Sequence, residues 1–141
     1  MAGRLHGRCA LVTGASAGIG HATALALARE GANLILTGRR APELHALSEA
    51  CQALGVHSQA LAGDLQDEDF VQTLAAAASE ADIFINNAGV LTYAPLVELT
   101  PAQVQAMFNV NVLASIRISQ LVGAEMAARG RGHIVDRKSV V

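Results

Sequence analysis

The sequence predicts a doubly wound parallel α/β sheet. Short apolar runs alternate with helical patterns along the whole chain. Those runs are apolar on both faces, as strands covered on either side by helices require. Residues 11–20, Leu-Val-Thr-Gly-Ala-Ser-Ala-Gly-Ile-Gly, put a glycine-rich turn between the first run and the first helix, and a second run follows at βαβ spacing.

Taken in order, Cys9–Thr13 reads as a buried strand and His21–Glu30 as an alanine- and leucine-rich helix. Between them, Gly14, Gly18 and Gly20 fall where the chain must turn sharply. A helix N-terminus carries unpaired N–H groups and about half a unit of positive charge, which suits a phosphate. Side chains at the three glycines are expected to fill the space that a dinucleotide's pyrophosphate needs. Asn33–Thr37 is the second strand, Pro42–Ala53 the second helix and Ser58–Ala62 the third strand. Asp67–Ser79 follows as a helix with Asp67 to Asp69 on its first turn, where the macrodipole favours negative charge. Ile83–Asn86 is the fourth strand and Gly132–Val135 the fifth. A single long helix, Pro101–Ala128, lies between them, opened by a Thr100–Pro101–Gln103 cap. Its apolar residues Val104, Met107, Phe108, Val112, Ile118, Leu121 and Val122 are expected to pack in the core, with part left for a subunit interface.

With 141 residues, 52% hydrophobic, the chain suits one globular domain. A net charge of −2 and few aromatics argue against nucleic acid or an anionic membrane as partner. Cys9 and Cys51 form no CxxC pair, which predicts free thiols in a reducing compartment. The five histidines have no metal-ligand spacing, so no metal site is expected. Arg4 and Arg8 precede an apolar stretch too brief for a signal peptide, and no run reaches the roughly 18 apolar residues of a membrane span. A cytoplasmic location is the resulting expectation.

From Arg4 to Val135 the chain resembles the short-chain dehydrogenase/reductases. Thr13-Gly14-Ala15-Ser16-Ala17-Gly18-Ile19-Gly20 looks like that family's TGxxxGIG turn, and Asn86-Asn87-Ala88-Gly89 looks like its NNAG motif. Asp64 stands where the family has an aspartate facing adenine, and Asn111 at its catalytic asparagine. The resemblance implies a Rossmann-type sheet of order 3-2-1-4-5, truncated before the last strands. It implies a nicotinamide coenzyme held by Gly14, Ser16, Ala17, Gly18, Ile19, Gly20, Arg39, Arg40, Asp64, Leu65, Asn87, Ala88 and Gly89. It also implies that Asn111 holds a water linked to a catalytic lysine, that the substrate is a small carbonyl or alcohol, and that the intact protein is a homo-oligomer.

Physical reasons accompany the motifs. NNAG ends a strand, where open α/β sheets bind ligands, and its two amides can bridge neighbouring strands. Gly89 lets the chain pass close to a coenzyme. Asn111 is mildly unfavourable mid-helix and needs a reason to be there. The second strand ends Thr37-Gly38-Arg39-Arg40, with guanidiniums where a carboxylate would bind the ribose hydroxyl of NAD. Arginine grips a 2′-phosphate, so NADP(H) is the expected coenzyme, with Arg39 as principal contact, Ser16 as helper and NAD(H) as second choice.

The family's serine, tyrosine and lysine are another matter. The only tyrosine, Tyr93, and the only lysine, Lys138, do not make a YxxxK motif. After Val135 come Asp136-Arg137-Lys138-Ser139-Val140-Val141, charged where a buried strand should continue. GATCGGAAGAGCGTCGTG, a string from sequencing-library adapters, encodes that hexapeptide. Residues 1–135 are therefore expected to be an incomplete coenzyme-binding domain and 136–141 a non-native tail, with Ser139 matching the catalytic serine only by accident. An inactive, poorly soluble fragment of an NADP-dependent oxidoreductase is the leading expectation. A non-catalytic NADP-binding sensor or scaffold is the alternative, and a methyltransferase a remote one. Leu91, Thr92 and Tyr93 are expected at the pocket mouth.

Overall fold

A computed structural model describes residues 3–137. Its strands are β1 (Cys9–Thr13), β2 (Asn33–Gly38), β3 (Ser58–Ala62), β4 (Ile83–Asn86) and β5 (His133–Asp136). The helices are α1 (Gly18–Arg29), α2 (Ala41–Ala53), α3 (Glu68–Ala77), α4 (Pro101–Phe108) and α5 (Ser115–Arg129). All strand pairs are parallel, in the expected order β3-β2-β1-β4-β5.

The inner strands bury both faces because successive side chains of β1 and β2 point opposite ways, whereas β5 is exposed along its length. Ala10, Val12, Leu34 and Leu36 pack on one side with Ala24, Leu44 and Leu47 of α1 and α2. Leu11, Ile35 and Phe84 pack on the other with Val71 and Leu74 of α3 and Ile118 and Val122 of α5. Burying each such large side chain stabilises the fold by about 1.5–3 kcal/mol. Under the sheet, the buried Asp82 precedes β4 and accepts from the Cys9 amide at 3.1 Å. Its other oxygen lies 3.0 Å from Arg131 and 3.6 Å from Arg8. Burial pushes the thiol pKa of Cys9 and Cys51 upward, so both free cysteines are held as thiols.

The helix starts follow the sequence. Asp67 caps α3 by accepting from the Asp69 amide at 3.0 Å, and Thr100 with Gln103 forms a complete capping box at α4. Among the described residues no helix is long and apolar enough to cross a membrane.

Several boundaries differ from the expectation. The first helix begins at Gly18 rather than His21, since its first amides need no intrahelical partner. β2 runs on to Gly38, paired with Ala62. β5 is displaced by one residue and crosses the expected boundary after Val135, because Asp136 pairs with Asn86 and the Arg137 amide donates to the Asn86 carbonyl at 2.9 Å. The rest of the expected tail, Lys138 to Val141 with Ser139, lies outside the described residues.

The single helix expected over Pro101–Ala128 is interrupted. A π-helical segment, Asn109–Ala114, joins α4 to α5. Its apolar stripe divides accordingly. Ile118 and Val122 are buried, whereas Val104, Phe108 and Val112 are 38%, 57% and 40% exposed and do not enter the core. The π segment shifts the helical phase, so one apolar spacing does not face one surface throughout.

Candidate functional site

A cleft of about 1070 Å³ opens at the carboxyl ends of β1, β2 and β4. This is where strand order reverses direction from β1, the place at which open α/β sheets bind ligands. Gly14, Ser16, Ala17, Ile19, Arg39, Arg40, Asp64, Leu65, Asn87, Ala88, Gly89 and Asn111 all line it. Gly18 and Gly20 do not. Leu91 and Tyr93 lie at the cleft, while Thr92 instead turns its amide to the Met107 sulfur at 3.4 Å.

The three glycines of the first turn have different work, which corrects the expectation that all three clear space for a pyrophosphate. A Cβ on Gly14 would stand 2.9 Å from the Ala88 Cα, and one on Gly20 would stand 2.7 Å from Asn87 Nδ2 and strike the Gly14 carbonyl. Those two let the first turn and the NNAG segment touch. Gly18, at φ 56°, faces open space. Ala17 at the N-cap of α1 provides no side-chain hydrogen bond, so no side chain caps the first-turn amides. A glycine-lined cradle with orphan amide donors fits a diphosphate.

Thr13 fastens the second motif to the first. Its fully buried Oγ1 accepts from the Asn87 and Ala88 amides, each at 3.0 Å. Asn87 answers with Nδ2 donating to the Thr13 carbonyl at 3.2 Å and the Gly14 carbonyl at 3.4 Å. Asn87 thus bridges strands as expected. Asn86 points elsewhere: its Nδ2 donates to Asp136 at 3.0 Å and its Oδ1 lies 3.4 Å from Ser115 Oγ.

Asn111 sits inside the π segment. Its Oδ1 accepts from the Val90 amide and its Nδ2 donates to the Val90 carbonyl, both at 2.8 Å. Ser115 Oγ donates to the Asn111 carbonyl at 3.0 Å. The asparagine's side chain therefore clamps the loop that follows NNAG, which is the physical reason for a polar residue in this apolar helix.

At the opposite end, Gly38 lets the end of β2 approach Ser16, whose Oγ would stand 2.9 Å from an added Cβ. Arg40 is drawn back, donating to the Ser16 carbonyl at 3.3 Å and to Glu43 at 3.2 Å. Arg39 is exposed, lines the cleft and makes no ion pair with the described residues. Asp64 Oδ1 accepts from the Gln66 amide at 2.9 Å, shaping the loop after β3.

Sequence reasoning missed Gly38, Gly63, Val90, Val110 and Arg137 as lining residues, and the acceptor role of Thr13. Thr13 had a signal, a hydroxyl ending a strand beside the glycine turn. Val90 and Val110 had none, being apolar residues in apolar surroundings.

Comparison with known proteins agrees with this geometry. The short chain dehydrogenase family model matches residues 8–141. The gluconate 5-dehydrogenase of Gluconobacter oxydans (strain 621H) is 40% identical over 140 residues, covering 96% of this chain and 55% of its own. A metagenomic short-chain oxidoreductase in complex with NADP superposes with a TM-score of 0.90 at 35% identity, over 97% of this chain and 64% of that one. A 7α-hydroxysteroid dehydrogenase complexed with NADH and 7-oxo glycochenodeoxycholic acid also reaches 0.90, at 34% identity, over 96% of this chain and 55% of that one. The chain spans about half the length of the curated relatives it matches.

This Rossmann-type fold with its glycine-turn cleft is the fold of the short-chain dehydrogenases and reductases it superposes on. The chain belongs to the short-chain dehydrogenase family.

Proposed function

We propose that this chain is the coenzyme-binding portion of an NADP(H)-dependent oxidoreductase acting on a small carbonyl or alcohol substrate. The observation that carries the NADP(H) preference is the end of β2. It presents Arg39 to the cleft with no ion pair among the described residues, and no carboxylate stands there for a ribose hydroxyl. Similar folds accept either coenzyme, since one neighbour holds NADP and another NADH, so this end of the cleft decides.

A nicotinamide bound there supplies or takes up a hydride. The chain's own residues would do the holding. The amides of residues 17–20 receive the diphosphate, Arg39 with Ser16 and Arg40 the 2′-phosphate, and Asp64 and Leu65 border the adenine. Asn87, Ala88 and Gly89 form the wall beside the ribose, and Asn111 steadies that wall through Val90. Proton transfer needs an acid/base pair, and the sequence contains no YxxxK pattern, so this chain alone binds coenzyme without turnover. The exposed apolar residues Val104, Phe108, Val112 and Ile116 support self-association of the protein, which light scattering reads.

Fluorescence titration of the chain with NADPH and NADH, before and after Arg39→Ala, tests the reading. A charge-assisted hydrogen bond worth about 1.5–3 kcal/mol predicts roughly ten- to hundredfold tighter NADPH binding, lost in the variant. An NADPH/NADH ratio unmoved by the substitution refutes it.

A further inference from the structure

We infer that Gln66 and Asn109 are positioning residues that couple the adenine end of the cleft to the Asn111 clamp. The inference rests on the coenzyme reading above and extends it.

The two ends of the cleft belong to different elements. The adenine end is the loop after β3, where Gly63, Asp64 and Leu65 line the cleft. The other end is Val90 with the π segment, where Val110 and Asn111 line it. A polar chain joins them over the surface. Gln105 Nε2 donates to Asn109 Oδ1 at 2.9 Å, and Asn109 Nδ2 donates to Gln66 Oε1 at 3.2 Å. The Gln66 amide in turn donates to Asp64 Oδ1 at 2.9 Å. Asn109 is the first residue of the π segment, two positions before Asn111.

Two features make this chain more than surface decoration. Its members are bonded in series, so Asp64 cannot shift without moving the Gln66 backbone whose side chain holds Asn109. The chain also attaches at the π segment, where the helical ladder is already irregular and a small displacement is easiest to accommodate. A second bridge reinforces the same junction: Arg117 of α5 donates to Glu68 at the start of α3, at 2.7 and 3.0 Å. Glu68 and Gln66 thus hold the β3–α3 loop to both flanks of the π segment. Ordering the loop around an adenine orders the backbone that presents Asn111 to Val90.

The test uses the whole 141-residue chain. Adenosine 2′,5′-bisphosphate serves as a probe that reaches the adenine end and carries no nicotinamide. Hydrogen exchange at the Val90 amide, which donates to Asn111, is the readout, since a purely structural role would leave its response to the probe unmoved. In the unmodified chain the probe slows that exchange. Asn109→Ala and Gln66→Ala each abolish the slowing while the probe still binds, and each weakens NADPH by about two- to tenfold, the range one exposed hydrogen bond supplies. The double variant is no worse than either single one. Asn109→Asp restores the slowing, because the Gln66 side-chain amide, turned over, can donate through Nε2 to a carboxylate. Binding of the probe without any change at Val90 in the unmodified chain, or equal slowing in Asn109→Ala, overturns the coupling. Failure of both the probe and NADPH to bind the unmodified chain overturns the coenzyme reading and the coupling with it.

Discussion

Replacing Thr13 by valine tests how the glycine turn and the NNAG segment are joined. Valine keeps the volume of threonine and removes only the hydroxyl, so no cavity forms at a site that is fully buried. The Asn87 amide, which donates to that hydroxyl at 3.0 Å, loses its acceptor, and the Ala88 amide loses one at the same distance. A buried donor left unpaired costs about 1–3 kcal/mol, and we assign that cost to the Asn87 amide alone. For a domain of this size it lowers Tm by about 3–15 °C. Thr13→Ser is the control: it keeps the acceptor and gives up one methyl, at about 1 kcal/mol. Thermal melts followed by circular dichroism and NADPH titrations are read side by side. Valine should lower both Tm and coenzyme affinity, and serine should retain affinity. A valine variant that binds NADPH like the unmodified chain would refute the reasoning, as would a serine variant that fails equally.

Other perturbations separate roles that the fold superimposes. Gly20→Ala, whose methyl would press on Asn87 and the Gly14 carbonyl, should lower stability by about 1–3 kcal/mol in urea melts. Gly18→Ala meets no protein atom, so beyond about 1–2 kcal/mol of backbone strain its chief effect is expected on NADPH affinity; identical profiles for the two would contradict the division. Asp82→Ala strips the Cys9 amide of its acceptor and should destabilise by about 1.5–3 kcal/mol. Asp82→Asn keeps an acceptor for the Cys9 amide but turns an amide donor toward the Arg131 and Arg8 guanidiniums, so it should destabilise less than alanine without being neutral; a loss as large as alanine's would point to charge instead. The hydrogen bond from Arg117 holds the Glu68 carboxyl below its ordinary pKa. Its stabilising contribution is therefore complete above the unfolded glutamate pKa and fades as pH falls through the lower folded value. Arg117→Met should raise the Glu68 titration midpoint by NMR; an unmoved midpoint rules that cause out.

The elements that could be read from the chain are those specified locally. Cys9–Thr13 and Asn33–Thr37 are apolar runs too short for helices and closed by glycine, and Thr100–Gln103 carries its own capping box. The cleft was legible because glycines, paired asparagines and arginines at strand ends have few structural alternatives. The π segment was not. Nothing in Asn109-Val110-Asn111-Val112 breaks a helix; the interruption coincides with a side chain held by Val90, which lies 21 residues earlier. The exposure of Phe108 beside the burial of Ile118 is likewise invisible to an apolar spacing, which counts residues without knowing which neighbour they meet.

By itself the sequence determined the strands and helices, their parallel order and most of the residues that would gather at one end of the sheet. The elements follow from hydrophobic periodicity and backbone preference, which act over a few residues, while the strand order and the cleft residues follow from the resemblance of the motifs to the short-chain dehydrogenases. Only the tertiary structure decided that Gly14 and Gly20 serve packing while Gly18 faces open space, that Thr13 accepts two amides from a distant loop, and that Asn111 clamps Val90. Each is a contact between segments far apart along the chain, and its existence depends on where the sheet brings their backbones.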